Sequence, residues 1–135
     1  MTGLVFFRIL RVMITTEKQE NKEVLHESIE YLERLGYINI KADVEGYETP
    51  KSYHKKGSDI SVTPDIVAEK AGRKHYFEIS LKSDKPKLLK SKWRFLDVLT
   101  RMKDDRFKII TKRGHYKFTN QMLDDLNLDK NLIKL

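Results

Sequence analysis

Residues 61–85, "SVTPDIVAEKAGRKHYFEISLKSDK", contain two short apolar runs joined by a turn. Apolar and polar side chains alternate in both runs, which is typical of strands with one buried face. Ala71-Gly72 between them predicts a β-hairpin. A two-residue loop at this point would place Asp65 directly opposite Glu78, with Cβ atoms roughly 5 Å apart.

The register of this hairpin depends on the turn. If the loop is Gly72-Arg73, Asp65 faces Ser80 instead, still on the face of the sheet that carries Glu78. A three-residue loop would break the arrangement. The carboxylate pair is therefore a prediction that holds for the two-residue Ala-Gly loop.

Two adjacent carboxylates repel each other, and each raises the pKa of the other. A hard divalent cation such as Mg²⁺ or Mn²⁺ removes this conflict, because it prefers oxygen ligands. Such a cation can also activate water and stabilise charge on a phosphate under attack. The alternative is that Asp65 and Glu78 are solvated and are balanced by Lys70, Lys74 or Lys82.

The rest of the chain predicts a mixed α/β domain. Helices are predicted over residues 16–35, 85–103 and 119–128, and strands over 37–44, over 106–114 and in both arms of the hairpin. Gly36 is placed to cap the first helix and Thr119 to begin the third. Residues 45–58 are rich in Gly, Pro, Ser and Lys, and predict a long surface loop. The predicted order is α-β-β-β-α-β-α around a small mixed sheet.

Composition narrows the possible functions. The chain has 135 residues, about one domain, with 39% hydrophobic and 35% charged residues, as in a folded protein. It has no cysteine, which excludes disulfides and thiolate metal sites and favours a cytoplasmic setting. The net charge of +7 and the pI near 9.5 favour a polyanionic partner such as nucleic acid.

The first 15 residues are predicted to be an N-terminal extension, followed by a single domain over residues 16–135. The run "GLVFFRILRVMI" is apolar, but it is shorter than the roughly 20 residues that span a bilayer, and it contains Arg8 and Arg11. A membrane partner is therefore not expected. Met13 is a second plausible start, and the apolar run is a candidate interface for a homodimer.

Thr63-Pro64-Asp65 followed by Phe77-Glu78-Ile79-Ser80 resembles the core motif of the PD-(D/E)xK nuclease superfamily. That superfamily includes Holliday-junction resolvases, phage endonucleases and many restriction enzymes. Its order of a helix, a three-stranded meander, a helix and a further strand is similar to the order predicted over residues 17–113.

The resemblance implies a restriction-endonuclease-like domain that hydrolyses DNA phosphodiester bonds with Mg²⁺ (or Mn²⁺). Asp65 and Glu78 would be the metal ligands, and duplex or branched DNA would be the substrate. Homodimers are common in the superfamily, and so compact a nuclease would fit a phage or a mobile element.

The sequence departs from the family pattern at the lysine. The family lysine belongs two residues after the glutamate, where this chain has Ser80. Lys82 lies on the same face, roughly 13 Å from Glu78 along an extended strand, which is about twice the usual distance. Lys82 is the candidate catalytic lysine if the strand bends or ends there, and Lys85 or Lys90 from the next helix are alternatives because the lysine migrates within the superfamily.

Members of the superfamily often add an acidic residue from the first helix. Glu27 is the candidate for this catalytic position, and Glu23, one turn earlier, is the alternative. Most glutamates on such a helix simply face water.

Basic residues form a predicted surface for the DNA backbone. Lys87, Lys90, Arg94 and Arg101 recur at three- and seven-residue spacing on the second helix, with Lys85 beside them, and Lys55 and Lys56 lie in the loop before Asp65. Such stripes bind phosphates with an affinity that falls steeply with salt. The alternative is an ordinary solvated helix face.

Two other functions remain open on the sequence alone. A protein that kept the nuclease fold but lost the lysine would bind nucleic acid without cleaving it, and its binding would survive metal chelation. An interaction module could instead use its positive charge to bind an acidic protein.

Overall fold

A five-stranded mixed sheet with helices on both faces forms the centre of the computed structural model, which describes residues 21–128 and 132–135. The predicted extension over residues 1–15 lies outside this described part. The strands are β1 (Ile38–Ala42), β2 (Tyr53–His54), β3 (Ser61–Val62), β4 (Ile66–Lys70), β5 (Arg73–Ser80), β6 (Arg106–Thr111) and β7 (Leu132–Lys134). The helices are α1, which covers residues 21–34 of the described part, α2 (Pro86–Met102) and α3 (Tyr116–Leu126).

The main sheet has the strand order β1-β4-β5-β6-β7. Strand β4 runs antiparallel to both β1 and β5, whereas β5, β6 and β7 run parallel to one another. Helix α2 connects β5 to β6 and helix α3 connects β6 to β7, because parallel neighbours need a crossover connection. The predicted mixed α/β architecture is confirmed.

The hairpin between β4 and β5 has the two-residue loop that the sequence predicts. Ile66 pairs with Phe77, and the pairing continues in register to Lys70 and Arg73. Ala71 and Gly72 have φ angles of 53° and 74°, the positive pair that a type I′ turn requires. The two alternative registers are therefore excluded.

From Tyr76 onward, strand β5 is covered on both faces, and each face packs against different helices. Tyr76 belongs to a core cluster with Trp93 of α2 and Met122 of α3. Phe77, the next residue, belongs to a second cluster with Leu32 of α1. Because side chains alternate along a strand, Glu78 and Ser80 lie on the same face as Tyr76 and point toward α2 and α3.

Helix α1 ends as predicted at Gly36. Gly36 has a φ of +90°, and its N–H donates to the carbonyl of Glu33 at 3.0 Å. The N–H of Tyr37 donates to the carbonyl of Leu32 at 3.1 Å. This pair of bonds is a Schellman motif, in which a glycine in the left-handed region closes the helix.

The long surface loop predicted over residues 45–58 contains one short strand, Tyr53–His54. Tyr53–His54 pairs with Ser61–Val62 in a separate two-stranded sheet. The Tyr53 hydroxyl lies 3.0 Å from the Tyr76 hydroxyl, and the Tyr53 ring packs against the core. This tertiary anchor converts a Gly- and Lys-rich stretch into an ordered hairpin.

One further local prediction is wrong, and one strand was not predicted. Helix α3 begins at Tyr116, not at Thr119, because the buried Thr119 hydroxyl has partners inside the fold and does not cap the helix. Strand β7 was not predicted, and it extends the sheet by pairing Leu132–Lys134 with β6. Its three residues are too few to show an alternating pattern.

None of the helices within residues 21–128 and 132–135 has the length and apolar character needed to cross a membrane.

Candidate functional site

Asp65 and Glu78 face each other where β4 and β5 begin to separate. The N–H of Asp65 donates to Glu78 Oε2 at 2.8 Å, and the N–H of Ile79 donates to Asp65 Oδ2 at 2.8 Å. Each carboxylate thus takes the place of a carbonyl acceptor on the opposite strand. The predicted opposition of the two side chains is confirmed, and the hydrogen bonds fix the orientation of both.

Lys92 of helix α2 completes this group. Its Nζ lies 3.0 Å from Glu78 Oε1 and 3.4 Å from Asp65 Oδ1. The neighbouring Trp93 and the nearby Leu96 are fully buried, so the helix is held against the sheet beside the lysine. We call Asp65, Glu78 and Lys92 the charged trio.

Burial and the close approach of the three charges shift the pKa values of Glu78 and Lys92. The side chain of Glu78 is 1% exposed, that of Lys92 24% and that of Asp65 35%. Burial raises the pKa of Glu78 well above its ordinary value, and the charge of Asp65 raises it further, while Lys92 acts in the opposite direction. Burial alone would lower the pKa of Lys92, but Glu78 and Asp65 outweigh it and raise that pKa, so the amine stays protonated.

An open cleft of about 750 Å³ is lined by the charged trio. Its walls come from the start of α1, the residues before β4 and the segment between β5 and α2. These walls include Asn21, Lys22, Thr63, Lys82, Ser83 and Leu89. Asp43, which follows β1, also lines the cleft, and the sequence analysis did not select it. The part-exposed Asp65 and Lys92 are therefore accessible from the cleft to a ligand as large as a phosphodiester, whereas Glu78 is buried beside them.

The oxygens of the trio fit a Mg²⁺ or Mn²⁺ ion. Glu78 Oε1 is buried and accepts no hydrogen bond of regular geometry within the described residues, so its counterion is the Lys92 ammonium. Asp65 Oδ1 lies beside the same ammonium. No group of three or more His, Cys, Asp or Glu side chains at metal-binding distances occurs in the part of the chain that the structure describes. Two carboxylates are nevertheless sufficient, because Mg²⁺ keeps several waters and uses substrate oxygens as ligands.

Ser80, at the position of the family lysine, belongs to a different cluster. Its Oγ lies 2.7 Å from Thr119 Oγ1, which in turn lies 2.9 Å from Thr111 Oγ1. All three residues are fully buried where α3 packs on the sheet. We call them the hydroxyl trio. A side chain at position 80 is therefore enclosed by α3 and does not point into the cleft.

The three lysines that the sequence analysis proposed lie elsewhere. Strand β5 ends at Ser80, and the exposed Lys82 lines the cleft without forming an ion pair with either carboxylate in the described part of the chain. Lys85 is exposed at the start of α2, and Lys90 pairs with Asp125 at 2.8 Å. The structure brings Lys92 to the carboxylates instead.

One signal in the sequence could have identified Lys92. It is a single lysine within the apolar face of α2, at the spacing where a further apolar residue is expected. The apolar neighbours on that face are Leu88, Leu89, Trp93, Phe95, Leu96 and Leu99. A charge placed there must find a partner inside the fold.

Glu27 is not brought to the cleft. Its carboxylate lies 3.0 Å from Lys112 Nζ, and it does not line the cleft. The α1 residues that do so are Asn21, Lys22 and Leu25, and Glu27 is rotated by roughly half a turn from Leu25. The alternative, Glu23, is exposed. The rotation of α1 about its axis decides which of its residues line the cleft, and the positions of its glutamates in the sequence do not predict that rotation.

The predicted DNA-contacting residues are divided between free and paired side chains. Lys55 and Lys56 are exposed at the tip of the β2–β3 hairpin, and Lys87 and Arg94 are exposed on the outer surface of α2. Arg101 forms an ion pair with Asp97 one turn away, as Lys90 does with Asp125.

Comparison with known proteins adds no relative, because no family model, no curated protein and no solved structure matches the chain at a significant level. The functional argument therefore depends on the geometry of the site.

Proposed function

We propose that this protein is a metal-dependent endonuclease of the PD-(D/E)xK type that hydrolyses DNA phosphodiester bonds. The observation that carries the proposal is the charged trio of Asp65, Glu78 and Lys92 at an open cleft. The helix, meander, helix and strand around it support a restriction-endonuclease-like fold. The lysine would come from α2 and not from position 80.

The backbone hydrogen bonds assign separate tasks to the carboxylate oxygens. Asp65 Oδ2 and Glu78 Oε2 accept N–H groups of the opposite strand, so they orient the side chains. Asp65 Oδ1 and Glu78 Oε1 lie near Lys92, and these two oxygens would hold the metal. Bound Mg²⁺ or Mn²⁺ would supply acidification of water and neutralisation of phosphate charge.

Lys92 would act as a permanently charged cation and not as a base. Its pKa is raised because, despite the opposing effect of burial, the two carboxylates favour its charged form. A phosphate beside Asp65 and Glu78 would lie within reach of its ammonium. There the positive charge would stabilise the negative charge that develops on the phosphate oxygens.

The charge distribution supports DNA as the substrate. The chain carries a net charge of +7, and Lys55, Lys56, Lys87 and Arg94 are exposed. These groups would hold the backbone of duplex or branched DNA by contacts that do not depend on sequence. A cytoplasmic location and a homodimer that cuts both strands belong to the same proposal.

The experiment that tests the proposal is cleavage of supercoiled plasmid and of a branched junction in Mg²⁺, Mn²⁺ or EDTA. We expect metal-dependent nicking by the wild type, loss of nicking in Asp65→Asn, Glu78→Gln and Lys92→Met, and retained nicking in the control Lys82→Met. Salt-sensitive DNA binding without cleavage on any substrate would instead favour a catalytically degenerate binding protein. Absence of DNA binding would favour an acidic protein partner.

A further inference from the structure

We infer that Lys92 is the internal counterion that holds Asp65 and Glu78 together in the metal-free protein, and that the metal and Lys92 compete for the same two oxygens. A substrate phosphate would attract the ammonium into the cleft and so open the carboxylates to the metal. This inference rests on the proposed function, and it adds a coupling between substrate binding and metal binding at that site.

The first observation is that the oxygens beside Lys92 are the same oxygens that would bind the metal. The two oxygens that backbone N–H groups leave available, Asp65 Oδ1 and Glu78 Oε1, are the ones beside Lys92 Nζ, at 3.4 Å and 3.0 Å. A Mg²⁺ ion requires oxygens at about 2.0–2.1 Å. A divalent ion held by both oxygens would be a second cation beside the Lys92 ammonium, and neighbouring cations repel each other.

The second observation is that the two ionised carboxylates need a neighbouring cation. Glu78 is 1% exposed, and its Oε1 lies 3.0 Å from Lys92 Nζ. Within residues 21–128 and 132–135, the ion pairs of both carboxylates are those with Lys92. Without a cation, the buried and ionised Glu78 would lie beside a second carboxylate, which is strongly unfavourable.

The third observation is that Lys92 can leave without any movement of the backbone. Helix α2 is anchored by Trp93 and Leu96, both fully buried, whereas the side chain of Lys92 is 24% exposed and lines the cleft. A lysine has a flexible four-carbon stem, so its ammonium can swing into the cleft while its Cα stays in place. The cleft is where the substrate phosphate would bind.

The consequence is a reciprocal coupling. A phosphate that binds the Lys92 ammonium removes the competitor, so DNA should raise the affinity for metal, and metal should raise the affinity for DNA by the same factor. Metal binding to the protein alone should correspondingly be weakened by Lys92. Removal of its charge should increase metal affinity while it abolishes cleavage.

The test is a Mn²⁺ titration of the full chain without DNA, followed by the electron paramagnetic resonance signal of free Mn²⁺. We expect Lys92→Met to bind Mn²⁺ at least about tenfold more tightly than the wild type, because a neighbouring positive charge has been removed. Lys82→Met, which removes a cleft lysine of equal charge, should change the affinity by less than about threefold.

A second measurement separates this role from a purely structural one. In EDTA, the melting temperature of Lys92→Met should fall below that of the wild type, and saturating Mn²⁺ should raise the melting temperature of the variant more than that of the wild type. The fluorescence of Trp93, the only tryptophan in the chain, reports whether the variant is folded. Lys92→Gln serves as a second neutral variant if Lys92→Met does not fold.

The outcomes distinguish this inference from the proposed function. Equal or weaker Mn²⁺ binding by the folded Lys92 variants would overturn the competition, although the nuclease proposal would stand. Failure of every variant and of the wild type to bind Mn²⁺ would overturn the metal site itself, and the inference with it.

Discussion

The charged trio and the hydroxyl trio lie on the same face of the same strand, yet they have opposite properties. Glu78 and Ser80 are consecutive on that face of β5, and both are buried. Helix α2 covers the first with Lys92, whereas helix α3 covers the second with Thr119. The helix that covers a strand position therefore decides whether that position meets a charge or a hydroxyl.

The two trios also differ in what they contribute to stability. Hydroxyls that bond to one another are buried at little cost, and each bond contributes about 0.5–1.5 kcal/mol. A buried carboxylate requires a counterion, and the desolvation of both charges can exceed their attraction. We therefore expect the hydroxyl trio to stabilise the fold and the charged trio to be retained for chemistry.

The largest effect should follow from removal of one carboxylate of the charged trio. Asp65→Asn and Glu78→Gln should each reduce plasmid cleavage by at least about 100-fold, because the proposed metal site would lose a ligand. The matched control is Glu69→Gln on β4, whose carboxylate accepts a hydrogen bond from Asn39 at 2.8 Å outside the cleft. Cleavage that survives in either carboxylate variant would separate the trio from catalysis.

A lysine at position 80, where the nuclease superfamily that the sequence resembles has one, should harm the protein. Ser80→Lys places a long charged side chain in the hydroxyl trio, so we expect a loss of about 3 kcal/mol or more in the free energy of unfolding. Denaturant titration measures this loss. In a Lys92→Met background, Ser80→Lys should not restore cleavage, and restored cleavage would show that position 80 can still reach the site.

Removal of one hydroxyl should have a smaller effect, confined to stability. Thr119→Val keeps the shape of the side chain but leaves Ser80 and Thr111 without their common partner, which should cost about 1–3 kcal/mol. Cleavage per folded molecule should be unchanged. Ser52→Ala, which removes an exposed hydroxyl contact with Thr63, is the control and should cost about 0.5 kcal/mol or less. An equal loss in both variants would contradict the assigned role of the buried trio.

The charged trio should make stability depend on pH, whereas the hydroxyl trio should not. Because burial raises the pKa of Glu78, the folded protein binds more protons than the unfolded chain above about pH 4, where an unfolded glutamate ionises. The contribution of Glu78 to stability therefore decreases as pH rises from that point toward the raised pKa. Unfolding in EDTA should show the wild type losing stability relative to Glu78→Gln over this window. A relative gain would mean that Lys92 outweighs burial.

The smallest effect is expected at Lys82, which shares the cleft but not the trio. Lys82→Met should change the cleavage rate at saturating DNA by less than about threefold, because exposed charges are screened. Its contribution should appear as a decrease of about one in the slope of log affinity against log salt. A loss as large as that in Lys92→Met would reassign the catalytic lysine.

Local features of the sequence predict the hairpin and, with a two-residue Ala-Gly loop, the carboxylate pair. The alternation on either side of Ala71-Gly72 fixes which face is buried, whereas the structure selects this loop over a Gly72-Arg73 loop, which would bury the same face. The cap at Gly36 and the existence of α2 are also local features. Interactions between near neighbours along the chain are sufficient to predict both.

Packing between whole elements decides which other side chains meet the pair. Lys92 reaches it and Glu27 does not, because the rotation of each helix is set by its packing against the sheet, with Trp93 and Leu96 holding α2. Thr119 is a good helix cap by residue type, but its hydroxyl forms a hydrogen bond with Ser80, which is distant in the chain. These contacts join residues distant in the chain, and their geometry depends on how whole elements pack, which a local pattern does not contain.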